Sequence, residues 1–230
     1  MRAFDVTTSL IASITRAGTG MQVGVLGRRP ARPLELFEFE GCPFCRKVRE
    51  ALSILDLEAN IYPCPQAGPR YRPYVVSHGG KAQFPFLRDP NTATEMYESD
   101  AIVRYLFLTY GETDAPWALA TPLLTDLNST LASLPRITRG RSYRQSREPE
   151  TPLELYSFEA SPYSRLVRET LCELEIPYLL HNVAKGSPGR RRFLERSKKV
   201  MVPWLVDPNS GVEMFESAEI CDYLEETYAV

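Results

Sequence analysis

Pro33-Leu34-Glu35-Leu36-Phe37-Glu38-Phe39-Glu40 returns 119 residues later as Pro152-Leu153-Glu154-Leu155-Tyr156-Ser157-Phe158-Glu159. Self-similarity at a fixed offset settles the organisation before any motif is read. Downstream, Phe44, Val48, Leu52 and Leu55 match Tyr163, Val167, Leu171 and Leu174. Both sets have the i, i+4, i+8, i+11 spacing of one buried helical face. Phe84-Pro85-Phe86-Leu87 then matches Val202-Pro203-Trp204-Leu205, Asp89-Pro90-Asn91 matches Asp207-Pro208-Asn209, and Glu95-Met96-Tyr97-Glu98-Ser99 matches Glu213-Met214-Phe215-Glu216-Ser217, now 118 residues apart. One residue has dropped out of the intervening loop. Upstream, Ser9, Ala12, Ser13, Arg16 and Gly20 recur as Ser129, Ala132, Ser133, Arg136 and Gly140, so the N-terminal segment reads as part of the first unit rather than as a targeting peptide.

Each unit reads as a leading helix, strand, helix, strand, irregular segment, strand, turn, strand, helix. Asp-Pro-Asn between two short apolar runs is turn chemistry, because proline presets φ at one turn position and Asn tolerates the backbone angles of the next. The last two strands therefore form a hairpin. The preceding strand-helix-strand is a right-handed parallel crossover, which gives a four-stranded mixed sheet with helices on its faces. Residues 1–113 and 121–230 form the two expected domains, and the Arg-, Ser- and Glu-rich stretch Thr138 to Thr151 reads as an exposed linker.

Composition narrows the function classes. The 230 residues carry 27 Lys plus Arg against 29 Asp plus Glu. That balance gives no global pull towards nucleic acid or an anionic membrane, and small molecules or proteins are the expected partners. No stretch approaches the roughly 20 apolar residues that cross a bilayer. Five cysteines at uneven spacing do not suggest a secreted disulfide framework, and a reducing cytoplasm is the expected compartment.

Cys42-Pro43-Phe44-Cys45 stands where the first strand ends and the first helix begins. A thiolate there faces unpaired N–H groups and the positive end of the helix dipole, so its pKa falls. Pro43 suits a first helical turn, and Arg46 and Lys47 add positive charge in the sequence. Cys42 is the expected nucleophile, and Cys45, one turn further in, the resolving thiol. A structural zinc half-site or two inert core cysteines are the competing readings. Zinc needs two further ligands, while Cys64 and His78 lie in loops without a second paired motif.

In this setting Cys-Pro-Phe-Cys resembles glutaredoxin, and the remainder of both units resembles the N-terminal domain of glutathione transferases. The resemblance rests on the helix-start site, the proline before the third strand and the Glu-Ser pair before the last helix. It implies an α/β fold of two tandem thioredoxin-like β-α-β-α-β-β-α domains, with glutathione as cosubstrate and no resident metal. It further implies cis prolines at Pro85 and Pro203, with Phe84 and Val202 offering backbone to the cysteine of glutathione. Glu98-Ser99 and Glu216-Ser217 would receive its γ-glutamyl end, and Lys81 and Lys199 would reach its glycine carboxylate. Plain N-capping by Ser99 and Ser217, and solvated lysines, are the bland counterparts.

In the second unit Ser161-Pro162-Tyr163-Ser164 replaces the cysteine motif, so Ser161 and Ser164 cannot exchange disulfides. Ser161 resembles the serine with which plant-type transferases activate the glutathione thiol, against the alternative of a helix cap. Cys172 and Cys221 read as small core residues. Cys64 reads as an accessory thiol or as nothing, and His78 and His181 carry no assigned role. The leading expectation is a glutathione-dependent thiol-disulfide oxidoreductase acting on disulfide-containing or glutathionylated substrates. Glutathione conjugation, and a non-catalytic iron-sulfur or docking module, are the alternatives.

Overall fold

A computed structural model describes residue 9 and residues 19–120 and 139–230. The expected leading helices, carried by Ala12, Ser13, Arg16, Ser129, Ala132, Ser133 and Arg136, lie outside the described residues, as does Thr138. The first repeat runs β1 (Leu34–Glu38), α1 (Pro43–Ile54), β2 (Ala59–Pro63), α2 (Tyr71–Gly79), β3 (Phe86–Asp89), β4 (Thr94–Met96) and α3 (Ser99–Leu106). A π-helical turn (Phe107–Gly111) and the short α4 (Trp117–Ala120) follow. The second repeat runs β5 (Leu153–Ser157), α5 (Pro162–Glu173), β6 (Tyr178–Asn182), α6 (Gly189–Ser197), β7 (Trp204–Asp207), β8 (Val212–Phe215) and α7 (Ser217–Tyr228). The stretches that read as irregular thus hold α2 and α6.

β1 and β2 are parallel and β3 runs antiparallel to both β1 and β4, a pattern that β5 to β8 repeat. The two quartets do not stay separate. They share one eight-stranded sheet in the order β4-β3-β1-β2-β6-β5-β7-β8. β2 and β6 join antiparallel at the centre, pairing Ala59 with Leu180, Asn60 with Leu179 and Ile61 with Tyr178. One apolar core crosses this seam, from Leu36, Val48 and Leu52 to Leu155, Val167 and Leu171. Joining the edges satisfies backbone groups that two separate sheets would leave exposed.

The Asp-Pro-Asn turns are locked from below. Asp89 accepts from the Asn91 backbone at 2.8 Å, from the Tyr105 hydroxyl at 2.5 Å and from Tyr110. Asp207 repeats the arrangement with Asn209, Tyr223 and Tyr228. Burial alone would raise these carboxyls, but the tyrosine hydroxyls hold both below the usual carboxylate range.

Charged residues fill the polar end of the seam. Arg49 donates through Nε to Glu159 at 2.9 Å and pairs with Glu40 at 3.1 Å and with Glu38. Arg168, the counterpart of Arg49, donates to Glu40 at 3.0 and 3.1 Å and pairs with Glu159 at 2.9 Å. All five side chains are buried.

Two sequence expectations need correction. Phe44 and Tyr163 are 43% and 49% exposed, because they lie on the first turn of their helices and project past the sheet that Val48 and Val167 cover. The stretch read as a linker is mostly exposed but tied down. Gln66, in the loop leaving β2, donates its N–H to Arg141 O and accepts from Tyr143 N, while Arg144 N donates to Glu173 O and Arg147 N to Tyr228 O. Backbone groups, rather than side chains, make these bonds, and composition does not report them.

Candidate functional site at the start of the first helix

Cys42 has extended backbone geometry (φ −85°, ψ 122°) and caps α1, with Pro43 at the first helical position. Its Sγ accepts the Cys45 N–H at 3.4 Å. This is the sulfur version of an N-cap, made possible because Pro43 needs no acceptor. Both thiols are free and buried, Cys42 at 4% exposure and Cys45 at 0%.

Their ionisation is split. The Cys45 thiol donates to Cys42 and lowers its pKa against the cost of burial, with the Cys45 and Phe44 N–H groups adding to the effect. Burial first, and then that same donation, push Cys45 well above the ordinary thiol value. One thiol is thereby favoured as anion and the other held as its proton donor. The expectation that Arg46 and Lys47 supply the stabilising charge is corrected. Arg46 Nε lies 3.7 Å from Glu159 across the seam, and Lys47 is buried against Asp100 of α3. The Cys45 thiol first, and then the N–H groups of the helix start, lower the Cys42 thiol; neighbouring cations do not.

Three further elements converge on this helix start. The Phe84-Pro85 bond is cis, as is Val202-Pro203. The Phe84 ring meets Phe39, in the loop leading to Cys42, edge-on at 6.2 Å, and the Arg72 guanidinium lies 4.7 Å above Phe84. Gln83 Nε2 donates to Glu98 at 2.5 Å, tying the proline loop to the start of α3. Lys47 with Asp100 closes the circuit between α1 and α3. Glu98 and Glu216 occupy the cap positions with φ of 68° and 66°, so Ser99 and Ser217 are the first helical residues rather than caps. Positive φ in a glutamate is strained backbone, held at the same point in both repeats. Lys81 Nζ stands 4.8 Å over Tyr97 and Lys199 Nζ 5.5 Å over Phe215, both exposed.

The second repeat keeps the frame and loses the ties. Ser161 caps α5, accepting the Ser164 N–H at 3.2 Å and the Ser164 hydroxyl at 2.9 Å. Gln83, Lys47, Phe84 and Asp100 correspond to Met201, Leu166, Val202 and Ala218. Gln83 and Asp100 are not legible beside the site from one unit, and Lys47 reads there as a charge near Cys42 rather than as a tie to α3. Their divergence between the repeats is the signal that could have found them.

Of the remaining candidates, Cys64 and Cys172 are buried and pushed up by burial, and Cys221 is half-buried against the core. His181 stacks on Tyr156 at 4.3 Å and its Nδ1 lies 2.7 Å from Glu58. Among the described residues, no group of three or more His, Cys, Asp or Glu could hold a metal, and no helix is long and apolar enough to cross a membrane.

A solved glutathione transferase of Bombyx mori is similar over 37% of this chain at 24% identity and a TM-score of 0.34, and the chain covers 39% of that protein. A trimeric glutathione transferase of Leishmania is similar over 87% of this chain and 68% of its own, at 13% identity and a TM-score of 0.30. No curated protein matches the chain. The model of the glutathione S-transferase N-terminal domain matches residues 36–114 and again 155–230, together more than half of the sequence. The chain therefore belongs to the glutathione S-transferase N-terminal domain family and carries that domain in tandem.

Proposed function

We propose that this protein is a glutathione-dependent thiol-disulfide oxidoreductase whose nucleophile is Cys42, with residues 1–113 as the reactive unit and residues 121–230 as a redox-silent one. The observation that carries this reading is the geometry of Cys42, which caps α1 before Pro43 and accepts the Cys45 N–H at 3.4 Å, an arrangement that favours the Cys42 thiolate while burial keeps Cys45 protonated. The Cys42 thiolate attacks the glutathione sulfur of a glutathionylated substrate, and the substrate leaves as its thiolate. A second glutathione thiolate attacks the glutathione sulfur held on Cys42, releasing oxidised glutathione and restoring the Cys42 thiolate. With a plain disulfide substrate, Cys42 first forms a mixed disulfide with one half and expels the other as a thiolate. Cys45 then attacks the Cys42 sulfur, the bound half leaves as its thiolate, and two glutathione molecules reduce the Cys42–Cys45 disulfide, leaving both thiols and oxidised glutathione. Phe84 and Pro85 of the cis-proline loop, Glu98, Ser99 and Lys81 are proposed to bind glutathione by family resemblance, supported for Phe84 by its contact with Phe39 beside Cys42 and for Glu98 by its bond to Gln83 of the same loop.

Glutathione conjugation is the second reading, favoured by the family itself and by Ser161, whose hydroxyl oxygen is already placed at a helix start. Side-by-side assays separate the two. Glutathione-coupled reduction of a mixed disulfide, with negligible transfer of glutathione to a generic aryl halide, is expected. Transfer without reduction would replace the proposal with the second reading.

A further inference from the structure

The loop that enters β1 reads Arg28-Arg29-Pro30-Ala31-Arg32-Pro33, and the loop that enters β5 reads Arg147-Glu148-Pro149-Glu150-Thr151-Pro152. The scaffold is the same. Arg32 N donates to Asn91 Oδ1 at 2.9 Å and Asn91 Nδ2 returns to Arg32 O at 3.0 Å, while Thr151 and Asn209 make the same exchange at 2.8 and 2.9 Å. The charge is opposite, with three arginines and no acid in the first loop and two glutamates with one arginine in the second.

In the first repeat this loop walls a cleft of about 310 Å³, closed by Pro90, Asn91 and Thr92 of the β3–β4 turn and by Thr109 and Tyr110. The volume falls at the lower end of the roughly 300–1,000 Å³ of small-molecule sites. Arg28, Arg29 and Arg32 all line it, and among the described residues no carboxylate does. Two guanidinium groups are held in place by backbone. Arg29 Nη1 donates to Leu55 O and Asp56 O, each at 2.7 Å, and Arg32 Nη2 donates to Pro90 O. Asp56, 3.8 Å from Arg29, offsets part of that one charge from outside the cleft. Asp89, beneath Tyr110, is already occupied by tyrosine hydroxyls.

We propose that this cleft binds the phosphate or pyrophosphate group of a small molecule. Arginine forks held by carbonyls match phosphate oxygens with little ordering cost. Three arginines line one cleft without a lining acid, and even with Arg29 turned partly to Asp56 outside it the remaining charge favours a multivalent anion over a single carboxylate. Thr109 completes the wall, while the Thr92 hydroxyl is engaged with Thr94. The cleft lies at the entry to β1 and Cys42 beyond its exit, so the whole of β1, five residues and about 17 Å long, lies between them. This is a second site, independent of the thiol chemistry.

The test is calorimetric titration of the full chain with sodium pyrophosphate at low ionic strength, with sulfate at matched ionic strength as control. The probe variant is the double substitution Ala31→Glu with Arg32→Thr, which copies the second repeat and keeps the backbone exchange with Asn91. Saturable pyrophosphate binding, weakened at least tenfold in the double variant with an unchanged thermal midpoint, is expected. Should the double variant fail to fold, Arg28→Gln gives the same reading with a smaller loss. No heat at millimolar pyrophosphate, equal binding of sulfate, or full affinity in the folded variants would overturn the proposal.

Discussion

Asn60 lies directly opposite Leu179 at the seam, and each is the other's counterpart in the repeat. On either side the counterparts change places, with Ala59 opposite Leu180 and Ile61 opposite Tyr178. That register is the signature of a local two-fold axis, the isologous geometry of a symmetric dimer realised within one chain. The buried Arg49–Glu159 and Arg168–Glu40 contacts obey the same axis.

Removing one member of that ion network leaves its partners charged, buried and unpaired. Arg49→Ala and Arg168→Ala are each expected to cost about 3–5 kcal/mol of unfolding free energy. Urea denaturation of the full chain measures this, and losses of less than about 1 kcal/mol would show that the network contributes little.

The network also predicts how stability varies with pH. Burial raises the Glu38 carboxyl to about 7 from 4.5, with Arg49 pulling the other way. A folded-state pKa above the unfolded one means that the contribution is full below about pH 4.5 and is lost as pH rises through about 7. Glu159 runs oppositely, since its four arginines overcome burial and bring it to about 2. Its contribution is present above about pH 4.5 and is lost as pH falls through about 2. Glu38→Gln should therefore flatten the decline between pH 4.5 and 7 and leave the acid limb intact. An unchanged slope in urea midpoints would remove Glu38 as its source.

The tyrosine locks offer a comparison between the repeats. Tyr110→Phe and Tyr228→Phe each remove a hydroxyl donor to a buried carboxylate, and each should cost about 1.5–3 kcal/mol. Thermal unfolding midpoints report the result. Unequal effects would mean that the matching geometry hides unequal packing.

Much of this was legible in the sequence. Repetition gave the two units, and Asp-Pro-Asn gave the hairpins, because turn chemistry is local. The Cys42 helix start and both cis prolines came with the motifs. The hidden part depends on long-range contact. Glu40, Arg49, Glu159 and Arg168 are charged residues that a pattern reading places in solvent, and only the β2–β6 seam makes them a buried set. The destinations of Arg46 and Lys47 were misjudged for the same reason. Adjacency in sequence put them beside Cys42, whereas the helix turns both away from it.

That difference in cause can be measured. Cys45→Ala, which deletes the thiol donor, should raise the Cys42 pKa, while Arg46→Met should leave it in place. Iodoacetamide alkylation rates against pH supply both values. A larger rise in Arg46→Met than in Cys45→Ala would restore the cation explanation.

The nucleophile is tested most directly by glutathione-coupled reduction of a glutathionylated peptide with the wild type, Cys42→Ser and Cys45→Ser. Glutathione can take the place of the resolving thiol but not of the attacking one. Cys42→Ser should therefore fall to background while Cys45→Ser keeps a substantial part of the rate. Activity surviving in Cys42→Ser would contradict the assignment of Cys42, and equal loss in both variants would contradict the glutathione-resolved route.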